Sequence, residues 1–149
     1  MIKPHGSLIV RTITILLIPY IQIFAAYVLV FGHHSPGGGF QAGVLIGASL
    51  ILGLLDGSKK ELKVFNVQRE FLAASFGVLF YISAGLIPIF AGSNFLDYSA
   101  IPFLFISDPA ARRYFGILWI EAGVALTVAM TLVIIFYTLA FSEIKPVKA

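Results

Sequence analysis

The sequence contains no cysteine. Disulfides, thiolate zinc sites, iron–sulfur ligation and cysteine nucleophiles are therefore excluded within this chain, and its redox compartment is left unread. Charge is scarce as well. Asp, Glu, Lys and Arg make up 11% of the 149 residues, against about 25% in an ordinary soluble domain. With 59% hydrophobic residues and a mean hydropathy of +0.98, too little polar surface remains to coat a globule in water. The charges that are present bound long runs without any: 12–55, which Gly32 to Gly39 divide into two, 71–96, and 122–142. Each piece holds a helix near the roughly 20 residues that cross about 30 Å of hydrocarbon.

The expected fold is all-α and integral to the membrane, with four transmembrane helices over about 7–31, 40–55, 72–91 and 115–140 in a single domain spanning 1–149. Four spans use most of the chain, so a large enzymatic head is excluded and no catalytic chemistry of its own is expected. The first apolar run is longer than the 7–15 residues of a signal-peptide core, and it ends in Gly32-His33-His34 rather than a small-residue cleavage site. It is read as a retained span of a multi-pass protein of the cell membrane.

The net charge of +3 and pI of about 9.3 come from loops and termini. Beside a membrane such residues report topology, not nucleic acid, and no nucleic-acid partner is expected. Lys3, Arg11, Lys59, Lys60, Lys63, Arg69, Lys145 and Lys148 fall on one side of a four-span chain, and Arg112 and Arg113 on the other. Both termini are thus expected in the cytoplasm.

Within the first span Pro19 predicts a kink. At 100° per residue, Arg11, Ile15, Ile18, Gln22 and Ala25 share a side that is expected to face protein, because Gln22 in lipid would be unsatisfied. Gln22 either bonds a neighbouring helix, the favoured reading, or lines an ion path. The second span carries Gly39, Gly43 and Gly47 at intervals of four, a groove that lets another backbone approach closely. Ile101 to Ile106, in the third connection, is apolar but too short to span, and is expected in the interface or in a neighbouring subunit.

Chemistry concentrates in two places. Between the first two spans stands Gly32-His33-His34-Ser35-Pro36-Gly37-Gly38-Gly39-Phe40-Gln41-Ala42-Gly43. One Pro and three successive Gly permit a sharp turn and close backbone approach, and the free N–H groups opening the next helix suit a carboxylate or an anion. A phosphate-cradling loop is disfavoured, since no Gly-Lys-Ser/Thr follows and no strand precedes. His33 and His34 lack a third ligand, so no metal is expected; His33 is read first as fixing the loop by a hydrogen bond and second as a proton-access group. The other place is Glu121 in Trp119-Ile120-Glu121-Ala122-Gly123, about 9 Å into the fourth span at 1.5 Å per residue. An intramembrane acid is a functional candidate by default; the alternatives are a structural carboxylate or a member of an ion or proton path.

The turn resembles the motif G-H-x-x-P-G-G-G-F-x-x-G of the B subunit of Mrp-type multisubunit cation/proton antiporters, the MnhB family. Gly32, His33, Pro36, Gly37, Gly38, Gly39, Phe40 and Gly43 match it, while His34 holds a variable position. Four spans, short loops and the chain length also suit that family. The resemblance implies an accessory membrane subunit supporting sodium/proton antiport, with other membrane subunits as partners and no cofactor. Related subunits occur in archaeal respiratory assemblies such as membrane-bound hydrogenases and sulfane reductases, so a redox-driven assembly is a second setting. Rival classes are a purely structural scaffold and a haem- or quinone-binding anchor, the latter disfavoured because His33 and His34 sit in a loop rather than on facing helices.

Overall fold

A computed structural model describes residues 8–32, 36–55, 66–103 and 106–141. Four long helices account for most of them: α1 (Leu8–Val30), α2 (Gly39–Leu55), α3 (Val67–Phe90) and α4 (Pro109–Phe141), with a 3₁₀ turn at Tyr98–Ala100. There is no strand among the described residues. Three of the helices, α1, α3 and α4, are long and apolar enough to cross a membrane. The remaining one, α2, has 17 residues, about 26 Å at 1.5 Å per residue.

Two helices begin earlier than the apolar runs predict. Asn66 caps α3, its side-chain oxygen accepting from Gln68 N at 3.0 Å, so Arg69 and Glu70 lie within the first turns. Asp108 caps α4 by accepting from Ala111 N at 3.1 Å, and Pro109 takes the first helical position, where its missing N–H costs nothing. A charged residue ends an apolar run without ending a helix, and the polar cap sets the boundary instead.

The helices form a layer in the order α1, α2, α4, α3. Helix α4 packs on α2 along one flank and on α3 along another, α1 packs on α2 with a minor approach to α4, and among the described residues α3 touches neither α1 nor α2. Small residues make these contacts. The core comprises Ala25, Ala42, Ala74, Ala84, Ala125 and Ala129 with a few valine and isoleucine side chains, and the largest fully buried side chains are Pro88 and Ser49. Large apolar residues such as Leu79 and Phe90 stay exposed. In water that inversion would be untenable; in lipid, association rests on close van der Waals packing, which small residues favour.

The packed face of α1 differs from expectation. Thr14, Ala25 and Val28 are buried and Ile18 and Ile21 half-buried, while Arg11, Ile15 and Gln22 are exposed. The centre of the contact face is rotated by about 60° from the anticipated one, on 100° per residue; Ile18 and Ala25 belong to both, and Gln22 at the edge still reaches Ser49 of α2. The third connection packs on the chain itself. Ile101 is 2% exposed, and Phe103 packs on Phe115 and Trp119 with centroids 6.1 and 6.0 Å away. The beginning of the Ile101–Ile106 stretch therefore covers the chain's own α4, where it removes apolar area from contact with anything else; residues 104–105 lie outside the described residues.

Candidate functional site: a glycine turn seated on Glu121

The start of α2 is pressed onto α4. A Cβ added to Gly39 would stand 2.7 Å from Glu121 Cα, one added to Gly43 2.7 Å from Ala125 O, and one added to Gly47 3.2 Å from Ala129 O. Three successive turns of α2 thus meet three successive turns of α4, backbone against backbone. The turn before α2 folds back on α1: Gly32 would meet Gly38 N at 2.6 Å, and Gly37 would meet Val28 O at 3.0 Å, if either carried a Cβ. Gly38 has φ +131°, a conformation open to glycine and strained for other residues. It also begins the helical ladder, since Ala42 N donates to Gly38 O at 3.0 Å.

Glu121 lies directly beneath. Its Oε1 would be 3.6 Å from a Cβ on Gly38, and its Oε2 is shielded from solvent. The carboxylate therefore sits at the N-terminal end of α2, whose first N–H groups have no acceptor within the helix. A negative charge there is favoured by about 0.3–1 kcal/mol through the helix dipole. Around this point the ends of α1 and α4 are tied together: the Tyr114 hydroxyl donates to Val30 O at 3.2 Å, and Val28, Ala42 and Ala125 form one buried cluster. The arrangement holds an ionisable acid, partly shielded, where three helices and the glycines Gly37 to Gly39 converge.

The structure brings together Gly32, Gly37, Gly38, Gly39 and Glu121, while Pro36 is exposed. Phe40 is exposed beside them, and Gly43 and Gly47 continue the contact down α4. His33 and His34 lie outside the described residues, and no group of three or more His, Cys, Asp or Glu converges on a metal position among those described. Gln22 is elsewhere. Its Nε2 donates to Ser49 Oγ at 3.4 Å, and Ser49 is ten residues beyond Gly39, about 15 Å along α2.

Sequence reasoning missed three positioning residues. Ser49 is fully buried and joins α1 to α2; a hydroxyl in the middle of an apolar run was its signal. Trp119 Nε1 donates to Phe80 O at 3.0 Å while the two rings stack 4.9 Å apart. Tyr114 had no local signal, for its partner is 84 residues away.

Apolar helices packed through small residues, three of them long and apolar enough to cross a membrane, are the architecture of a membrane-embedded protein. Residues 9–134 match the family model described as a domain related to the MnhB subunit of Na+/H+ antiporter, and the chain belongs to that family. It is similar to the Na+/H+ antiporter B subunit of Bacillus subtilis (strain 168), at 28% identity over 85% of this chain and 93% of that protein. It is also similar to proteins named as putative antiporter subunit mnhB2 in Staphylococcus aureus strains Newman and JH1, each at 32% identity over 86% of this chain and 95% of the relative.

Proposed function

We propose that the chain is an accessory subunit of a multisubunit sodium/proton antiporter in the cell membrane. In this reading all of α1 to α4 cross the bilayer as one membrane domain over 1–149, with both termini in the cytoplasm, as the distribution of Lys and Arg favours. At about 26 Å, α2 crosses where its first turn is sheltered by α1 and α4 rather than bathed in lipid.

The observation that carries the proposal is the seating of the turn on Glu121, which unites the family's motif with the one acid away from a helix end among the described helices. A complete antiport cycle requires several membrane acids or lysines, and this chain offers one, so exchange belongs to the assembly. Glu121 is assigned the charge-sensitive role at the turn, with His33 as the second candidate for proton access. Gln22, whose partner Ser49 lies about 15 Å along α2 from Gly39, stands apart from this end.

The test uses the assembled complex in membrane vesicles. Cation-dependent proton movement is measured with the natural chain, without the chain, and with Glu121→Gln, which keeps shape and removes charge. Loss of exchange without the chain is expected, and with Glu121→Gln a fall of at least about tenfold, below the roughly 10²–10⁴-fold that a proton-transfer group typically contributes, or a shifted pH optimum. Unchanged exchange with Glu121→Gln at full complex yield would leave the acid a structural role only.

A further inference from the structure

Gln22 is only partly accounted for by the chain's own packing: one amide N–H reaches Ser49 of α2. It lies about 21 Å from the start of α1 and about 12 Å from its end at 1.5 Å per residue, near mid-span, and it is exposed. Its amide offers two donor hydrogens and a carbonyl oxygen. Among the described residues one N–H goes to Ser49 Oγ, and the Ser49 hydroxyl donates its own hydrogen bond to Ile46 O at 2.7 Å, which closes that chain of bonds. The bond to Ser49 does not engage the amide oxygen.

A second feature of the same strip has the same requirement. Pro19 has no N–H to give the Ile15 carbonyl. Ile15, Pro19, Gln22 and Ala26 recur at i, i+4, i+7 and i+11 and are all exposed, so they share one face of α1. That face carries the Gln22 amide oxygen, and Pro19 on it leaves the Ile15 carbonyl without its usual i+4 donor. Acyl chains provide no donor, the hydrocarbon holds no water to substitute, and lipid headgroups stand about 12 Å away at the nearer end of the helix. Only a spanning helix delivers a donor at that depth. Ala26, one turn from Gln22, lets such a helix approach closely.

We infer that the Ile15–Pro19–Gln22–Ala26 strip is a subunit interface, covered by a transmembrane helix of a different subunit that brings a hydroxyl or amide donor to Gln22 at mid-span. The inference rests on the multisubunit reading above. It assigns the exposed flank of α1 to assembly, and leaves ion-linked chemistry to the Glu121 end.

The test places a photo-reactive residue at Ala26 in the full complex in its membrane and identifies the adducts by mass spectrometry. Adducts to a spanning segment of another subunit are expected; adducts to lipid only, or to a second copy of this chain, would overturn the inference. In parallel, Gln22→Leu is expected to lower recovery of that subunit with the chain by about three- to tenfold, the range of one interhelical hydrogen bond, while Gln22→Asn retains part of it and both variants insert normally. Equal recovery for Gln22→Leu and the natural chain would also overturn it. Neither readout measures transport, so an assembly that cross-links at Ala26 but exchanges no ions refutes the antiport reading and supports the interface.

Discussion

Helix α4 meets its two main neighbours in opposite ways. Against α2 the contact is backbone on backbone, with Gly39, Gly43 and Gly47 set on Glu121, Ala125 and Ala129. Against α3 one glycine crossing, Gly77 on Gly123, is supplemented by side chains: Trp119 stacks on Phe80 and donates to its carbonyl, and Thr127 Oγ1 donates to Gly123 O at 2.9 Å and lies 3.4 Å from Ala74 O. The third connection then closes over that side, with Phe95 on Gly85 and Tyr98 on Gly116. The first interface has no slack to absorb added volume. The second divides its stability among several groups, each of which is lost separately. The candidate site lies on the first, where geometry is held by sterics and an acid is kept at a fixed distance from a helix terminus.

The comparison is broken most directly at Gly43. Gly43→Leu puts a branched side chain where even a Cβ would be 2.7 Å from Ala125 O, and it is expected to cost about 3 kcal/mol, the upper part of the range for overpacking. Recovery of folded chain and of complex should fall sharply, with Glu121-dependent exchange falling alongside. Val44→Leu, at a position 36% exposed, is the control and should be mild. Equal recovery from the two would mean that the glycine face meets lipid.

Substitutions on the α3 side should be graded. Trp119→Phe keeps an aromatic ring on Phe80 and removes the donor to its carbonyl, for about 1 kcal/mol; Thr127→Val should cost about 0.6 kcal/mol, the average of measured interhelical side-chain bonds. Thermal unfolding in detergent should rank Gly43→Leu, Trp119→Phe and Thr127→Val in that order. A Thr127→Val effect as large as that of Gly43→Leu would remove the distinction between the interfaces.

The smallest effect is expected in the third connection. The Asp97 carboxylate accepts from Ser93 Oγ at 2.6 Å, from Ser99 Oγ at 2.5 Å and from Ser99 N at 3.2 Å. These bonds, the Ser93 hydroxyl first, hold its pKa below the usual carboxylate value of 3.8. A depressed folded-state pKa contributes order above the unfolded value, and that contribution is lost as pH falls through the folded one. Amide hydrogen exchange over 92–103 should therefore be unchanged between about pH 7 and pH 5 and accelerate, relative to its intrinsic rate, only below about pH 4, the ordinary carboxylate range. Asp97→Asn should abolish that acid-dependent step; an identical step in the variant would place its origin in another group.

Much of the local structure was legible in the sequence. Runs without charge marked the helices, and Glu121 stood out as an acid inside one of them. The helix starts were less legible, because Asn66 and Asp108 act as caps through side-chain geometry while the hydropathy signal responds to Arg69, Glu70, Arg112 and Arg113 on the helical side of those caps. Tyr114 illustrates the limit: its partner Val30 is distant in sequence, and nothing local to either residue announces the bond.

By itself the sequence determined which segments are helical, which residues are small, and that three glycines of α2 lie on one face, since helix periodicity and side-chain volume are local properties. Tertiary structure alone decided that this face meets α4 rather than α1 or α3, that Gln22 sits at the edge of the α1–α2 contact with Ser49 as its partner, and that Glu121 comes to rest under Gly38. The reason is steric and long-range. A glycine stripe makes close approach possible for any helix, and the helix that takes the place is the one whose own small residues, Ala125 and Ala129, repeat in the same register.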